Sequence, residues 1–103
     1  MSETQEITGP LVSMIRQMGI LVLRMNSGKV KVRGGWMQLH EAGTADILCF
    51  PRGRVVWLET KHPHGHTNRE QIDNQAAFKE RVESIGHKYY RVTSIDEGLE
   101  KVK

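Results

Sequence analysis

Two apolar runs, Thr44 to Phe50 and Val55 to Lys61, flank the segment Pro51-Arg52-Gly53-Arg54 and constrain the fold of this chain more than any other feature. A proline and a glycine between such runs mark a hairpin loop, so the runs should pair as antiparallel strands. With Phe50 facing Val55 across the loop, the register is set along the ladder and Asp46 falls directly opposite Glu59. Opposed side chains share a face with β-carbons roughly 4.5–5.5 Å apart, and two carboxylates that close repel unless a cation or a shared proton lies between them. Alternation places Lys61 on the Glu59 face, so two acids and an amine form one cluster.

A divalent cation resolves the repulsion. Mg²⁺ and Mn²⁺ prefer oxygen ligands, and a site with few protein donors keeps positions for water and phosphate. Such an ion activates water and offsets charge on a phosphorane, with Lys61 orienting the attacking water or adding a fixed positive charge: the chemistry of phosphodiester hydrolysis. The competing reading is a surface hairpin in which Asp46 supports a turn and Glu59 and Lys61 are solvated. Against it, Ile47, Leu48, Val55, Val56, Trp57 and Leu58 make both strands apolar, and charges at one end of such strands point to a pocket.

The rest of the chain supplies elements to cover that hairpin. Ile7, Leu11, Met14, Ile15 and Met18 recur at helical spacing, with Pro10 in the first turn and Gly19 as the stop. Ile20 to Leu23 reads as a buried strand ended by Asn26-Ser27-Gly28, and Lys29 to Arg33 as a second strand broken by Gly34-Gly35. From Trp36 to Gly43 a mobile loop is expected, carrying Trp36, His40 and Glu41. After the irregular His62-Pro63-His64-Gly65-His66, a capping box at Thr67-x-x-Glu70 opens a helix to about Ile85, closed by Gly86. His87 to Thr93 is a last strand, and Ser94-x-x-Glu97 caps a short final helix. The order gives an α/β fold in which a mixed central sheet is flanked by helices, as one domain over residues 1–103.

Hydrophobic residues make up 38% and charged residues 26% of the chain, and no apolar run nears the ~20 residues that span a bilayer, so a soluble protein without a membrane partner is expected. Met1 to Glu6 lacks the basic start and apolar stretch of a secretory signal, and a lone Cys49 in an apolar run fits a reducing cytoplasm. A net charge of +3 admits a polyanionic partner. Lys29, Lys31 and Arg33 would share one strand face, either as the protective charges of an edge strand or as a strip contacting phosphates. Gln75 is the one polar member of the stripe Ile72, Gln75, Phe78, Val82 and Ile85, either reaching solvent at its edge or turned toward the acids and their water. His62, His64 and His66, with His40, lack the paired spacing of structural zinc sites and fit better as a solvated or substrate-facing rim.

Gly43-Thr44-Ala45-Asp46-Ile47, the hairpin and Glu59-Thr60-Lys61 together resemble the motif of the PD-(D/E)XK nuclease superfamily. Within it the chain is most similar to the VRR-Nuc (virus-type replication-repair nuclease) domain, whose Arg-x-Asn-x-Gly and Gln-x-x-Phe stretches are matched by Arg24 to Gly28 and by Gln75 to Phe78. The resemblance spans nearly the whole chain and implies a restriction-endonuclease-like core. It implies Asp46, Glu59 and the Thr60 carbonyl as ligands of Mg²⁺ or Mn²⁺, Lys61 assisting the nucleophile, Gln75 near the reaction, and Arg24 and Asn26 against DNA. The proline that usually precedes the aspartate is Ala45 here, and Glu6 is the nearest counterpart of a first-helix glutamate that many relatives carry. Small relatives of this kind are often homodimers that cut opposing strands, so Holliday junctions or other branched DNA in replication or repair are the implied substrates. The alternatives are a nuclease subunit or nicking enzyme directed by partner proteins, and a non-catalytic nucleic-acid-binding module; two adjacent carboxylates facing a polyanion argue against the last.

Overall fold

The computed structural model describes residues 7–25, 29–38, 42–62 and 67–103. Helix α1 (Gly9–Gln17) is followed by strand β1 (Val22–Arg24), the hairpin β2 (Lys29–Val32) and β3 (Gly35–Gln38), and the second hairpin β4 (Ile47–Cys49) and β5 (Val56–Thr60). Helix α2 (Arg69–Ser84), strand β6 (Lys88–Val92) and helix α3 (Ile95–Lys101) complete the chain. The main sheet runs β1-β4-β5-β6. Its first three strands are antiparallel and β6 lies parallel to β5, so α2 is the crossover that a parallel pair requires. The expected mixed sheet between helices is the architecture found.

The central hairpin has the expected register, Ile47 opposite Leu58, Leu48 opposite Trp57 and Cys49 opposite Val56, and turns through a short 3-10 segment at Pro51–Gly53. Alternation then sorts its side chains. Ile47, Cys49, Val56 and Leu58 pack with Leu11, Val12 and Ile15 of α1, and with Val92 and Val102, in one core layer. On the other face Trp57, Ala45 and Tyr89 pack beneath Phe78 and Val82 of α2. Helices α1 and α3 approach closely because position 98 is glycine: a β-carbon there would lie 2.5 Å from a Leu11 methyl.

Four local expectations need correction. Residues 35–38 are not a mobile loop but a strand paired with 29–32, with Arg33-Gly34 as the two-residue turn; among the described residues this hairpin has no backbone pairing with the main sheet. Glycines that punctuate a strand pattern also make tight turns, and the second meaning applies here. β1 is an edge strand with one buried face, Val22 being 3% exposed against 62% for Leu21 and 45% for Leu23. The α2 capping box is Asn68 with Gln71, one residue beyond the Thr67 and Glu70 expected: Asn68 Oδ1 accepts from the Gln71 amide at 2.8 Å, and Gln71 Oε1 from the Asn68 amide at 3.2 Å. Both pairs satisfy the sequence pattern, and asparagine serves as well as threonine at an N-cap. Finally, Ile72 and Ile85 at the two ends of the α2 stripe are exposed, since only its middle meets the sheet. No helix among the described residues is long and apolar enough to cross a membrane.

Candidate active site

Asp46 sits where the chain enters β4, one residue before the ladder begins. Its carbonyl accepts from the Met25 amide at 2.7 Å, which ties this end of the hairpin to the end of β1. The carboxylate is held from the other side: Oδ2 accepts from the Thr60 amide at 3.0 Å and from Thr60 Oγ1 at 2.8 Å. A hydroxyl has one proton to donate. With that of Thr60 committed to Asp46, the buried Thr8 hydroxyl before α1 donates to Thr60 Oγ1. Thr8 and Thr60 thus fix the aspartate rotamer through a chain of hydrogen bonds that starts at the first helix.

Glu59 stands across from Asp46 on the α2 face, 5% exposed. Burial first, then the facing Asp46 charge and a side-chain hydrogen bond to Asp46, push its carboxyl up to about 9, while Lys61 and Arg91 pull it back down. Near neutral pH the Glu59 carboxyl therefore keeps its proton and directs it at Asp46. Gln75 Nε2 of α2 donates to Glu59 Oε2 at 3.4 Å, so this amide is turned to the acids and not to solvent. Lys61 follows β5 directly, its amide donating to the Val92 carbonyl at 2.8 Å; the residue is 8% exposed, and its charge acts on Glu59.

The helix that carries Gln75 meets the strand entry at Gly43. A β-carbon at Gly43 would sit 2.2 Å from the Asn74 carbonyl oxygen, and the residue has φ +89°. Gly43→Ala should cost about 3 kcal/mol, combining the left-handed conformation with a backbone clash. A fall in the urea midpoint measures it, and a midpoint within error of wild type would show that the helix can retreat freely.

A proton held between two carboxylates marks the place that a divalent cation takes, because an oxygen-seeking ion offsets the same repulsion. Asp46, Glu59 and the Thr60 carbonyl fit that demand as donors. Among the described residues no group of three or more histidine, cysteine and acidic side chains converges on a metal position, so the remaining positions fall to water and substrate. Ala45, where a proline was expected, is fully buried under α2 beside Phe78.

The other anticipated residues are more dispersed. Arg24 is exposed at the end of β1, opposite Ile47, with a guanidinium nitrogen near Gly9 of α1. Lys31 and Arg33 are exposed on the separate hairpin, and no described contact joins them to the acids. Glu6, Asn26, His40, Glu41, His64 and His66 lie outside the described residues, as do the side chains of Lys29 and Trp36. His62 is half-buried just past Lys61. Sequence reasoning missed Thr8, whose one signal is a hydroxyl within the apolar stripe of the first helix. It also missed Tyr89 and Arg91, which reach the acids only through the parallel pairing of β6. Burial first, and then Glu59 and Asp46, raise the Tyr89 hydroxyl above its ordinary range.

A solved structure described as a VRR_NUC domain matches this chain with a TM-score of 0.63 at 18% identity, over 97% of this chain and 94% of that one. No family model and no curated protein sequence matches it. At that identity the likeness is one of fold, and the chain, a mixed four-stranded sheet flanked by helices, has the fold of a VRR_NUC domain.

Proposed function

We propose that this protein is a metal-dependent nuclease that hydrolyses phosphodiester bonds in DNA. The observation that carries the reading is the buried Glu59 facing the half-buried Asp46, whose carboxylate is held by Thr60, on a sheet with the VRR_NUC fold. Asp46, Glu59 and the Thr60 carbonyl hold Mg²⁺ or Mn²⁺, which supplies Lewis-acid activation of water and neutralises charge at the phosphate. Lys61 orients the attacking water and places a positive charge where negative charge grows on the phosphate oxygens. Gln75 keeps the Glu59 carboxyl turned toward the cluster. Thr8 and Thr60 do the same for Asp46. Arg24, Asn26, Lys29, Lys31 and Arg33 contact the DNA backbone, and Glu6 is a further ligand candidate.

The substrate we propose is branched DNA such as a Holliday junction, met in replication or repair inside the cell. A domain this small grips a junction best as a homodimer whose two sites face opposing strands. Supercoiled, linear and four-way-junction DNA, each incubated with Mg²⁺, Mn²⁺ or EDTA, give the test. Cleavage is expected with either metal, lost in EDTA, and fastest on the junction. DNA bound but left intact under every metal would replace the nuclease with a binding module.

A further inference from the structure

Beside the acid pair, toward the edge strand β6, an open cleft of about 210 Å³ is lined by Ile72, Gln75, Ala76 and Lys79 of α2 and by Tyr89 and Arg91 of β6. The four helix residues recur at spacings of three and four and so make one face. Tyr89 and Arg91 alternate onto the sheet face that this helix covers. In the parallel ladder Arg91 is the partner of Glu59, and adjacent strands lie ~4.8 Å apart, so its guanidinium stands next to the acids. The hydrolytic cluster uses neither Arg91 nor Lys79.

Both cations are exposed, and among the described residues neither closes an ion pair, whereas Arg69 with Asp73 and Lys103 with Glu100 do. Ile72, Ala76 and the Tyr89 ring give the cleft apolar surface, and its rim carries a guanidinium, an ammonium and an amide. That combination suits a sugar-phosphate unit. The planar guanidinium matches two phosphate oxygens at once, the ammonium adds a point charge, and the apolar surface accepts the sugar. Two acids also repel the polyanion they are to cut, and cations one strand away offset that repulsion where the next phosphate must pass.

We propose that this cleft receives the phosphodiester adjacent to the scissile one, gripped by Arg91 and Lys79, and so sets which bond of the strand reaches Asp46 and Glu59. The inference rests on the nuclease reading of the acids, and its test is built on binding so that the two can fail separately. Affinity for DNA is measured against salt, in Ca²⁺ and in EDTA, for the wild type, for Lys79→Gln with Arg91→Gln, and for a control pair. The control, Lys88→Gln with Arg52→Gln, removes equal charge from exposed positions at the opposite end of the sheet.

Loss of one phosphate contact should lower the slope of log affinity against log salt by about 0.9 and weaken binding about tenfold in the cleft variant alone. In oligonucleotides with one phosphate at a time replaced by an uncharged methylphosphonate, the wild type should lose affinity at one position that the cleft variant no longer senses. An unchanged slope, an equal loss in the control pair, or methylphosphonate losses that simply add to the variant's own would overturn the proposal. Wild-type protein that binds with this signature yet cuts no DNA with Mg²⁺ or Mn²⁺ would overturn the nuclease reading and leave a phosphate-binding cleft.

Discussion

Asp46→Asn and Glu59→Gln are each expected to slow DNA cleavage by on the order of 10³-fold, with the protein folded and its grip on DNA equal to wild type or tighter. Both changes keep side-chain volume. Asparagine at position 46 still offers an oxygen to the Thr60 amide and hydroxyl. Glutamine at position 59 replaces the shared proton with an amide hydrogen directed at Asp46. What each variant loses is one of two negative charges able to hold a divalent cation, and with it the activation of water. Without metal, Asp46→Asn removes a negative charge that faces the polyanion and Glu59→Gln replaces a protonated carboxyl with a neutral amide, so neither weakens binding electrostatically. Nicking of supercoiled DNA in Mn²⁺ and gel shift in EDTA give the two readouts. Cleavage at the wild-type rate, or joint loss of cleavage and binding with an unchanged circular-dichroism spectrum, would remove these acids from the reaction.

How much of this was legible in the chain follows from which interactions are local. The proximity of Asp46 and Glu59 could be derived because one tight loop fixes a hairpin register, and a register once fixed determines every opposed pair. Helix ends marked by Gly19 and Gly86 could be derived for the same reason, since both adopt the positive φ that glycine reaches freely. Arg91 could not. The strand that carries it was recognisable, but its place beside Glu59 depends on a parallel pairing set by the α2 crossover, and no local signal encodes that register.

The misjudged segments have a shared cause. Among the described residues the backbone of Lys29 to Gln38 pairs only within its own hairpin, and its pattern resembled a strand followed by a loop because the glycines at its turn also read as a strand end. β1 looked fully buried because its four apolar residues run together, yet as an edge strand it covers the core with Val22 and leaves Leu21 and Leu23 outside. Periodicity reports how many faces are apolar, not which of them the tertiary structure covers. In the site itself, the sequence carried the residue types and one distance; the hydrogen bonds that aim Asp46, and the cations behind Glu59, belong to the packed sheet.

Without metal, the folded protein should lose stability as pH rises from 5 to 8.5, and Glu59→Gln should abolish most of that loss. The Glu59 carboxyl moves from an ordinary 4.5 to about 9 on folding, because burial and Asp46 disfavour its charge. Between those values the folded state holds a proton that the unfolded chain has released, so unfolding is favoured increasingly as protons become scarce. The stabilising contribution is complete below pH 4.5 and disappears as pH climbs through about 9. Each unit of such a difference is worth about 1.4 kcal/mol, so a fall of a few kcal/mol is expected across the window. The Cys49 thiol, raised by burial from 9.0 to about 11, contributes only above that window. A cation that displaces the shared proton reverses the sign. In Mn²⁺ the wild-type melting temperature should rise with pH, with about one proton released per ion bound, while Glu59→Gln gains little from the metal at any pH. Melting curves of both proteins across the window, with and without Mn²⁺, and calorimetric titrations in buffers of different ionisation enthalpy measure all three effects. Parallel metal-free pH profiles for wild type and Glu59→Gln would mean that the two carboxyls do not share a proton, and the site would lose the feature that invites a cation.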